Sequence, residues 1–275
     1  MRATAPAKIN LTLHVTGQRA DGYHLLDSLV IFTEFGDEVA LHAGTGLSLA
    51  VTGPQAAGLL GEGDNLILRA ARLIGARDAA LSLEKHLPVA SGMGGGSSDA
   101  ATALRLVARA QGLTLPGTAA LMRLGADLPV CLAAPRPTRM RGLGEHLEPV
   151  LGVPPLWLLL VNPGVGLSTP AVFKALTKKH NPPMPAALPR WRDAADLAVW
   201  LSGMRNDLEA PARALLPPVA ALLDELGTQP GCLLARMTGS GATCVGIFAD
   251  ERTCRAAERR LSVPGRFVQA TRSLA

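Results

Sequence analysis

Residues 88–103 constrain this chain more than any other stretch. They read Pro88-Val89-Ala90-Ser91-Gly92-Met93-Gly94-Gly95-Gly96-Ser97-Ser98-Asp99-Ala100-Ala101-Thr102-Ala103, four glycines within five positions followed by serines and an alanine-rich run. Ahead of them, Leu81 to Lys85 alternates apolar and polar residues as a strand does. Behind them, Ala100, Ala101, Leu104, Val107 and Ala108 recur at helical spacing, with Gly112 as the stop. The glycines therefore sit between a strand and a helix N-terminus. There, backbone N–H groups can approach an anion closely, and the helix adds unsatisfied donors and its positive dipole end. A phosphate-cradling loop is the expectation; the plainer alternative is a turn that only lets the helix pack on the strand. Two familiar phosphate motifs are excluded. A Walker A loop needs Gly-Lys-Ser/Thr, but Ser97 follows Gly96 directly, and a dinucleotide fingerprint starting at Gly92 needs glycine at 97.

The 275 residues suffice for two domains of ordinary size, and 48% hydrophobic with 18% charged residues describes a folded globular chain. The longest apolar run, Val150 to Val161, is interrupted by Gly152, Pro154 and Pro155 and is too short to span a bilayer, so no membrane association is expected. No apolar signal core follows Arg2, which gives a cytoplasmic expectation. Cys131, Cys232, Cys244 and Cys254 form no C-x-x-C pair, which argues against a zinc site or a disulfide framework. The net charge of +5 comes with only 3% aromatic residues and dispersed basic ones. That pattern disfavours a nucleic-acid partner and suits an enzyme that handles polyphosphates.

Along the chain, Ala7 to Val15 alternates, placing Lys8, Asn10, Thr12 and His14 on one face of a strand. Lys8 reads either as a solvated edge charge or as a fixed cation beside a transferring phosphate. After the Asp21-Gly22 turn come Tyr23 and His24, placed to stack on and bond a base or else to serve packing and surface, and a strand-like run through Phe32. Further strands are expected at 38–43 and 47–51. A helix starts at Asp64 or Asn65 as N-cap, and another spans Thr118 to Leu124, stopped by Gly125. Asp127 then stands among apolar neighbours at the helix exit, as a turn aspartate or as a carboxylate in need of a partner. Arg136, Arg139 and Arg141 lie in a proline-punctuated segment, and the domain boundary falls near 149–155. The second half is expected to hold a buried strand at 157–161, a helix capped by Thr169 with Pro170 at its first position, and helices at 191–201 and 211–226. The loop Met237 to Thr243, a hairpin turn or a ligand-facing loop, leads into a strand at 244–248. A helix at 250–261 and a strand at 267–271 complete the chain.

Three separated stretches, Pro6 to Leu11, Pro88 to Ala101 and Thr238 to Thr243, resemble the GHMP kinase superfamily in order and spacing. Asp21 to His24, Gly94 to Ala101, Gly125 to Pro129 and Asn206 to Glu209 further resemble one branch of it. That branch phosphorylates the 2-hydroxyl of 4-diphosphocytidyl-2-C-methyl-D-erythritol in non-mevalonate isoprenoid biosynthesis. The resemblance implies an α+β, two-domain GHMP kinase fold. Residues 1–150 would form a ribosomal-protein-S5-like ATP-binding domain, and 151–275 a ferredoxin-like substrate-binding domain. It implies ATP and Mg2+, with Asp127 accepting or orienting the hydroxyl proton and Lys8 stabilising developing charge. Ala90, Ser91, Gly92, Met93, Gly94, Gly95, Gly96, Ser97 and Ser98 would bind the ATP phosphates, and Asn65 would lie near the adenine. Tyr23 and Phe173 would sandwich the cytosine, His24 would bond its polar edge, and Asn10 and Thr238 would line the substrate channel. Met93, where this loop usually has leucine, conserves volume. The rivals are a related kinase acting on mevalonate, homoserine or a sugar, and a non-catalytic nucleotide-binding regulator.

Overall fold

The computed structural model describes residues 1–59 and 65–274. A seven-stranded sheet holds β1 (Arg2–Asn10), β2 (His14–Gln18), β3 (His24–His42), β4 (Leu47–Thr52), β5 (Ala79–Glu84), β6 (Thr138–Gly142) and β7 (His146–Pro149). Its spine is β3, 19 residues long, which pairs antiparallel with β1, β2, β5 and β6. The strands expected up to Phe32 and from Glu38 are therefore one strand. Pairing with β1 carries the chain through its polar middle, Pro6 facing Gly36 and Ala5 facing Asp37. The register slips between Pro6 and Lys8. A proline cannot donate to the ladder, and the bulge beside it re-aims the residue that follows, which is Lys8.

The alternating run Ala7 to Val15 is not one strand either. It breaks at Leu11 to Leu13, where the Leu13 N–H donates to Arg205 O at 2.8 Å and Leu13 bridges to Asn206 from the other half of the chain. Lys8, Asn10, Thr12 and His14 are all buried, so the polar face of this run lies on an internal seam and Lys8 is no solvated edge charge.

On this sheet lie α1 (Leu66–Leu73), α2 (Gly95–Gln111) and α4 (Leu128–Ala133), with α3 (Thr118–Leu124) packed against α1 and α4. Asn65 caps α1, its Oδ1 accepting from Ile67 N at 2.9 Å, while Asp64 lies outside the described residues. The alanines of α2 at 100, 101 and 103 are fully buried, which lets its axis lie close to β1, β3 and α1, and Gly112 ends it in the left-handed conformation. Several elements, among them α4, β6 and β7, escaped the sequence reading. Asp127 does not merely leave α3; it occupies the N-cap position of the short α4. The arginine segment at 136–141 enters the sheet as β6, with β7 as its hairpin partner.

The second half builds a four-stranded antiparallel sheet in the order β11 (Phe267–Arg272), β8 (Trp157–Asn162), β10 (Cys244–Phe248), β9 (Cys232–Met237). Around it are α5 (Thr169–Ala175), α6 (Ala194–Ser202), α7 (Glu209–Leu215), α8 (Pro218–Gly227) and α9 (Glu251–Leu261). The single helix expected at 211–226 is two, because Pro217-Pro218 cannot continue α7 but suits the first turn of α8. Ser168, not Thr169, takes the N-cap position of α5; the Thr169 hydroxyl is instead 2.7 Å from Ser240 Oγ.

The halves share a core in which Ile9, Leu11, Leu29 and Ile31 meet Leu158, Leu160, Val245 and Ile247. Buried Arg139 ties them further. It makes a two-pronged pair with Asp27, at 2.8 and 2.7 Å, and donates to the carbonyls of Met184, Pro185 and Ala186, fastening the proline-rich loop onto the first sheet. No helix among the described residues is long and apolar enough to cross a membrane.

Candidate active site

Between the two halves lies a cavity of about 970 Å³. Its floor is the glycine stretch. Ser98 N donates to Gly94 O at 2.9 Å as the first bond of α2, so the N–H groups of Gly95, Gly96 and Ser97 precede the helical ladder and remain as donors at the positive end of the helix. Ala90, Gly92 and Gly94 hold φ of 51°, 79° and 63°. At Gly92 the reason is crowding. A Cβ there would lie 2.5 Å from Thr238 O and 2.7 Å from Gly241 O, and one on Gly239 would lie 2.5 Å from Gly92 O. The loop 238–243 is thus both a hairpin connection between β9 and β10 and a lid pressed backbone to backbone on the glycine loop, held by Thr243 N donating to Ser91 O at 3.1 Å. Asn206 donates to Met237 O and Gly239 O, both at 2.9 Å, and Asp207 Oδ2 accepts from Val15 N at 2.7 Å. The Asn206-Asp207 pair braces this lid against β2.

At the centre of the cavity stand Lys8 and Asp127. Lys8 Nζ is 2.9 Å from Asp127 Oδ2 and donates to Asn10 Oδ1 at 2.9 Å; Asn10 in turn donates through Nδ2 to Ser28 Oγ at 2.7 Å. The Lys8 side chain is 4% exposed, whereas that of Asp127 is 35% exposed and open to the cavity. A Cβ on Gly94 would lie 2.9 Å from Lys8 Cε and 3.7 Å from Asp127 Oδ2, so the phosphate loop runs directly against the ion pair. The pairing that the residues alone left open is made.

Leu59, Leu66, Pro88 and Val89 form an apolar part of the lining, which also includes Asn65. The lining also carries Tyr23, His24 and Phe173. The His24 ring stacks on Phe173 with centroids 4.8 Å apart and planes 26° apart. Burial, and secondarily the charge of Lys179, hold His24 below the ordinary imidazole range, so the ring is neutral at physiological pH. Its Nε2 is buried without a hydrogen-bond partner. Such an orphan costs free energy unless a ligand satisfies it. The expected sandwich is not laid out as an open slot: Phe173 lies against His24, and Tyr23, 63% exposed, stands at the rim.

Of the residues nominated from sequence, Lys8, Asn10, Tyr23, His24, Asn65, Ala90, Ser91, Gly92, Gly94 to Ser97, Asp127 and Phe173 line this one cavity. The side chains of three others do not reach it. Met93 is fully buried in the shared core, while its carbonyl accepts from Lys8 N at 2.9 Å. Ser98 Oγ is spent on Pro6 O at 2.7 Å, and Thr238 Oγ1 on Asn10 N at 2.9 Å. These three shape the site from behind. Sequence reasoning missed Gln18, Lys85, Asp99, Thr169, Lys174, Lys179 and Ser240, all of which line the cavity. Asp99 and Ser240 lie inside stretches already singled out, Lys85 ends the strand read ahead of the glycine loop, and Lys174 and Lys179 follow Phe173 closely; nothing local marks Gln18. Among the described residues no group of three or more His, Cys, Asp or Glu is placed to hold a metal ion.

Comparison with known proteins agrees with this geometry. A family model described as GHMP kinases N terminal domain matches residues 65–134, and one described as GHMP kinases C terminal matches 184–264. A 4-diphosphocytidyl-2-C-methyl-D-erythritol kinase of Cereibacter sphaeroides is 58% identical over 273 residues, covering 98% of both chains. One of Paracoccus denitrificans is 57% identical over 272 residues, covering 98% of this chain and 96% of its own. A crystal structure of 4-(cytidine 5'-diphospho)-2C-methyl-D-erythritol kinase superposes with a TM-score of 0.83 at 29% identity over the whole of both chains. A homoserine kinase from Cytophaga hutchinsonii, 16% identical with a TM-score of 0.63 over 98% of this chain and 94% of its own, shares the fold. With relatives this similar over nearly the full length of both chains, the chain belongs to the GHMP kinases and, within them, to the 4-diphosphocytidyl-2-C-methyl-D-erythritol kinase family.

Proposed function

We propose that this protein transfers the γ-phosphoryl group of ATP to the 2-hydroxyl of 4-diphosphocytidyl-2-C-methyl-D-erythritol, giving the 2-phosphate and ADP. The observation that carries the reading is the placement of the Lys8–Asp127 pair against the phosphate loop on one side, with the His24–Phe173 wall in the same cavity. Phosphoryl transfer asks a protein mainly for positioning and charge stabilisation. The N–H groups at the start of α2 receive the nucleotide phosphates, and the apolar part of the lining, with Asn65, takes the adenine. Asp127 accepts the hydrogen bond of the substrate hydroxyl, aligning its oxygen with the γ-phosphorus. As the new O–P bond forms and the bond to the β–γ bridging oxygen breaks, the hydroxyl proton passes to Asp127 and the departing charge stays on ADP. Lys8, fixed by Asn10, supplies a desolvated positive charge to the transferring group. Mg2+ bound with the nucleotide would neutralise phosphate charge beside the donors at Gly95 to Ser97.

The cytosine is recognised by the unpartnered Nε2 of neutral His24, with Phe173 behind the imidazole and Tyr23 closing from the rim. A mevalonate or homoserine substrate would offer no base for these rings. His24→Ala is expected to raise KM for the cytidylyl substrate by roughly tenfold, the scale of one hydrogen bond and one ring contact, while KM for ATP stays nearly unchanged. Steady-state kinetics with each substrate varied in turn reads this out, and equal rises in both KM values would contradict the assignment.

A further inference from the structure

Under the glycine loop the chain buries three ionisable side chains that the transfer chemistry above does not use. Asp37 comes from β3, Lys85 from the residue after β5, and Asp99 from the first turns of α2; each is at most 2% exposed. Lys85 Nζ donates to Asp37 Oδ2 and, at 2.9 Å, to Asp99 Oδ2. A Cβ on Gly95 would lie 2.9 Å from Lys85 Nζ, so the first residue of α2 rests directly on the ammonium. Lys85 and Asp99 also line the cavity.

The two carboxylates are not equivalent. Asp37 Oδ1 also accepts from the backbone N–H groups of His86 and Leu87, at 2.6 and 2.8 Å, whereas Asp99 Oδ1 is buried with no partner. One lysine can neutralise one carboxylate, and the charge opposite Lys85 is best carried by Asp37 with its extra donors. An ionised Asp99 would then leave a net negative charge in a dry place beneath a loop whose chemistry is to seat an anion. Burial first, and the Asp37 carboxylate further, push Asp99 up to about 8 against the opposing pull of Lys85. Lys85 is also raised: desolvation opposes its charge, but Asp99 and Asp37 outweigh it. Both shifts describe a cluster that prefers to keep two protons, one on the amine and one on Asp99. Of the other elements packed on α2, β1 presents Lys8, committed to Asp127 and Asn10; α4 presents the Cys131 thiol, itself pushed up by burial; and α1 carries Arg69 and Arg72. The charges that act on Asp99 are those of Lys85 and Asp37.

We propose that Asp99 takes up a proton when a polyphosphate seats on the loop above it, so that nucleotide binding and neutralisation of the Asp37–Lys85–Asp99 cluster are thermodynamically linked. This rests on the nucleotide reading of the loop. Asp99 is on this view a positioning residue: it touches no reacting atom, but it removes the negative charge that would oppose the phosphates. The linkage has a sign. Well below pH 8 the proton is already in place and binding takes up none. Above it, each binding event must draw a proton from solvent, and the Kd for ATP rises by up to tenfold per pH unit.

The test is calorimetric titration of ATP into the whole protein at about pH 8 in two buffers of different ionisation enthalpy. The buffer-dependent heat is expected to report net proton uptake that grows as the pH is raised from about 8 to about 9, a range in which the ATP phosphates are already ionised. Asp99→Asn keeps the size and presents a carbonyl to Lys85, but it has no proton to gain; it is expected to bind ATP with no buffer dependence and with a Kd flat over the same range. Measurable binding by the wild-type protein without proton uptake, or a variant with the wild-type slope, overturns the proposal. The wild-type titration decides by itself should the variant not fold. Absence of ATP binding at every pH would instead overturn the nucleotide reading, and this linkage with it.

Discussion

Asp127→Asn is expected to lower kcat by roughly a hundredfold or more while changing KM for ATP only a fewfold, and Lys8→Ala to lower kcat on the same scale. The amide keeps the size of Asp127 but can neither take the hydroxyl proton nor hold the ion pair with Lys8 Nζ at 2.9 Å. Lys8→Ala removes the one ammonium that the bulge in β1 turns toward the carboxylate. Because the two groups act as a unit, the double variant is expected to be no slower than the slower single variant within a fewfold. Single-turnover rates measure this directly. Additive losses, or near wild-type turnover in either single variant, would mean that the chemistry lies elsewhere in the cavity.

The second large effect is expected at Gly92. Any side chain there must hold φ near 79° and place its Cβ 2.5–2.9 Å from the backbone of Thr238 and Gly241. These atoms are backbone and cannot rotate aside, so the two loops must part. Left-handed strain and overpacking together put the cost of Gly92→Ala at roughly 2–4 kcal/mol. A melting temperature lower by on the order of 5–10 °C is expected, together with a KM for ATP raised by tenfold or more as the loop lifts. Gly227→Ala, at the end of α8 and outside the cavity, is the control, since a Cβ there meets nothing within 4 Å. A Gly92→Ala protein as stable and as active as that control would show that the contact between the two loops is not what shapes the phosphate site.

The glycine loop could be read from the chain because its demands are local: positive φ, close backbone approach and a helix start all write themselves into consecutive residues. Most helices were legible for the same reason, down to the stops at Gly112 and Gly125. What escaped depends on partners far along the chain. Nothing near Leu13 announces that Arg205 will take its N–H and break the strand, nor anything in Thr33 to Asp37 that β1 will carry β3 through a polar stretch. The residues alone left Lys8 between an edge charge and a fixed cation; its pairing with Asp127 came from the family resemblance, and the bulge after Pro6 supplies the physical cause. Likewise Tyr23 and His24 could suggest a base site, and the resemblance added Phe173, but nothing in the sequence says that the rings of His24 and Phe173 stack on each other. The break at Pro217-Pro218 is a different case, since two prolines inside an expected helix were signal enough.

Which acceptor the enzyme phosphorylates decides the assignment most directly. ADP release should be followed for this protein with 4-diphosphocytidyl-2-C-methyl-D-erythritol, mevalonate and homoserine offered in parallel at equal ATP. The expected result is turnover on the first alone, one ADP for each phosphorylated product, and its loss in Asp127→Asn. Turnover on mevalonate or homoserine with none on the cytidylyl substrate would contradict it.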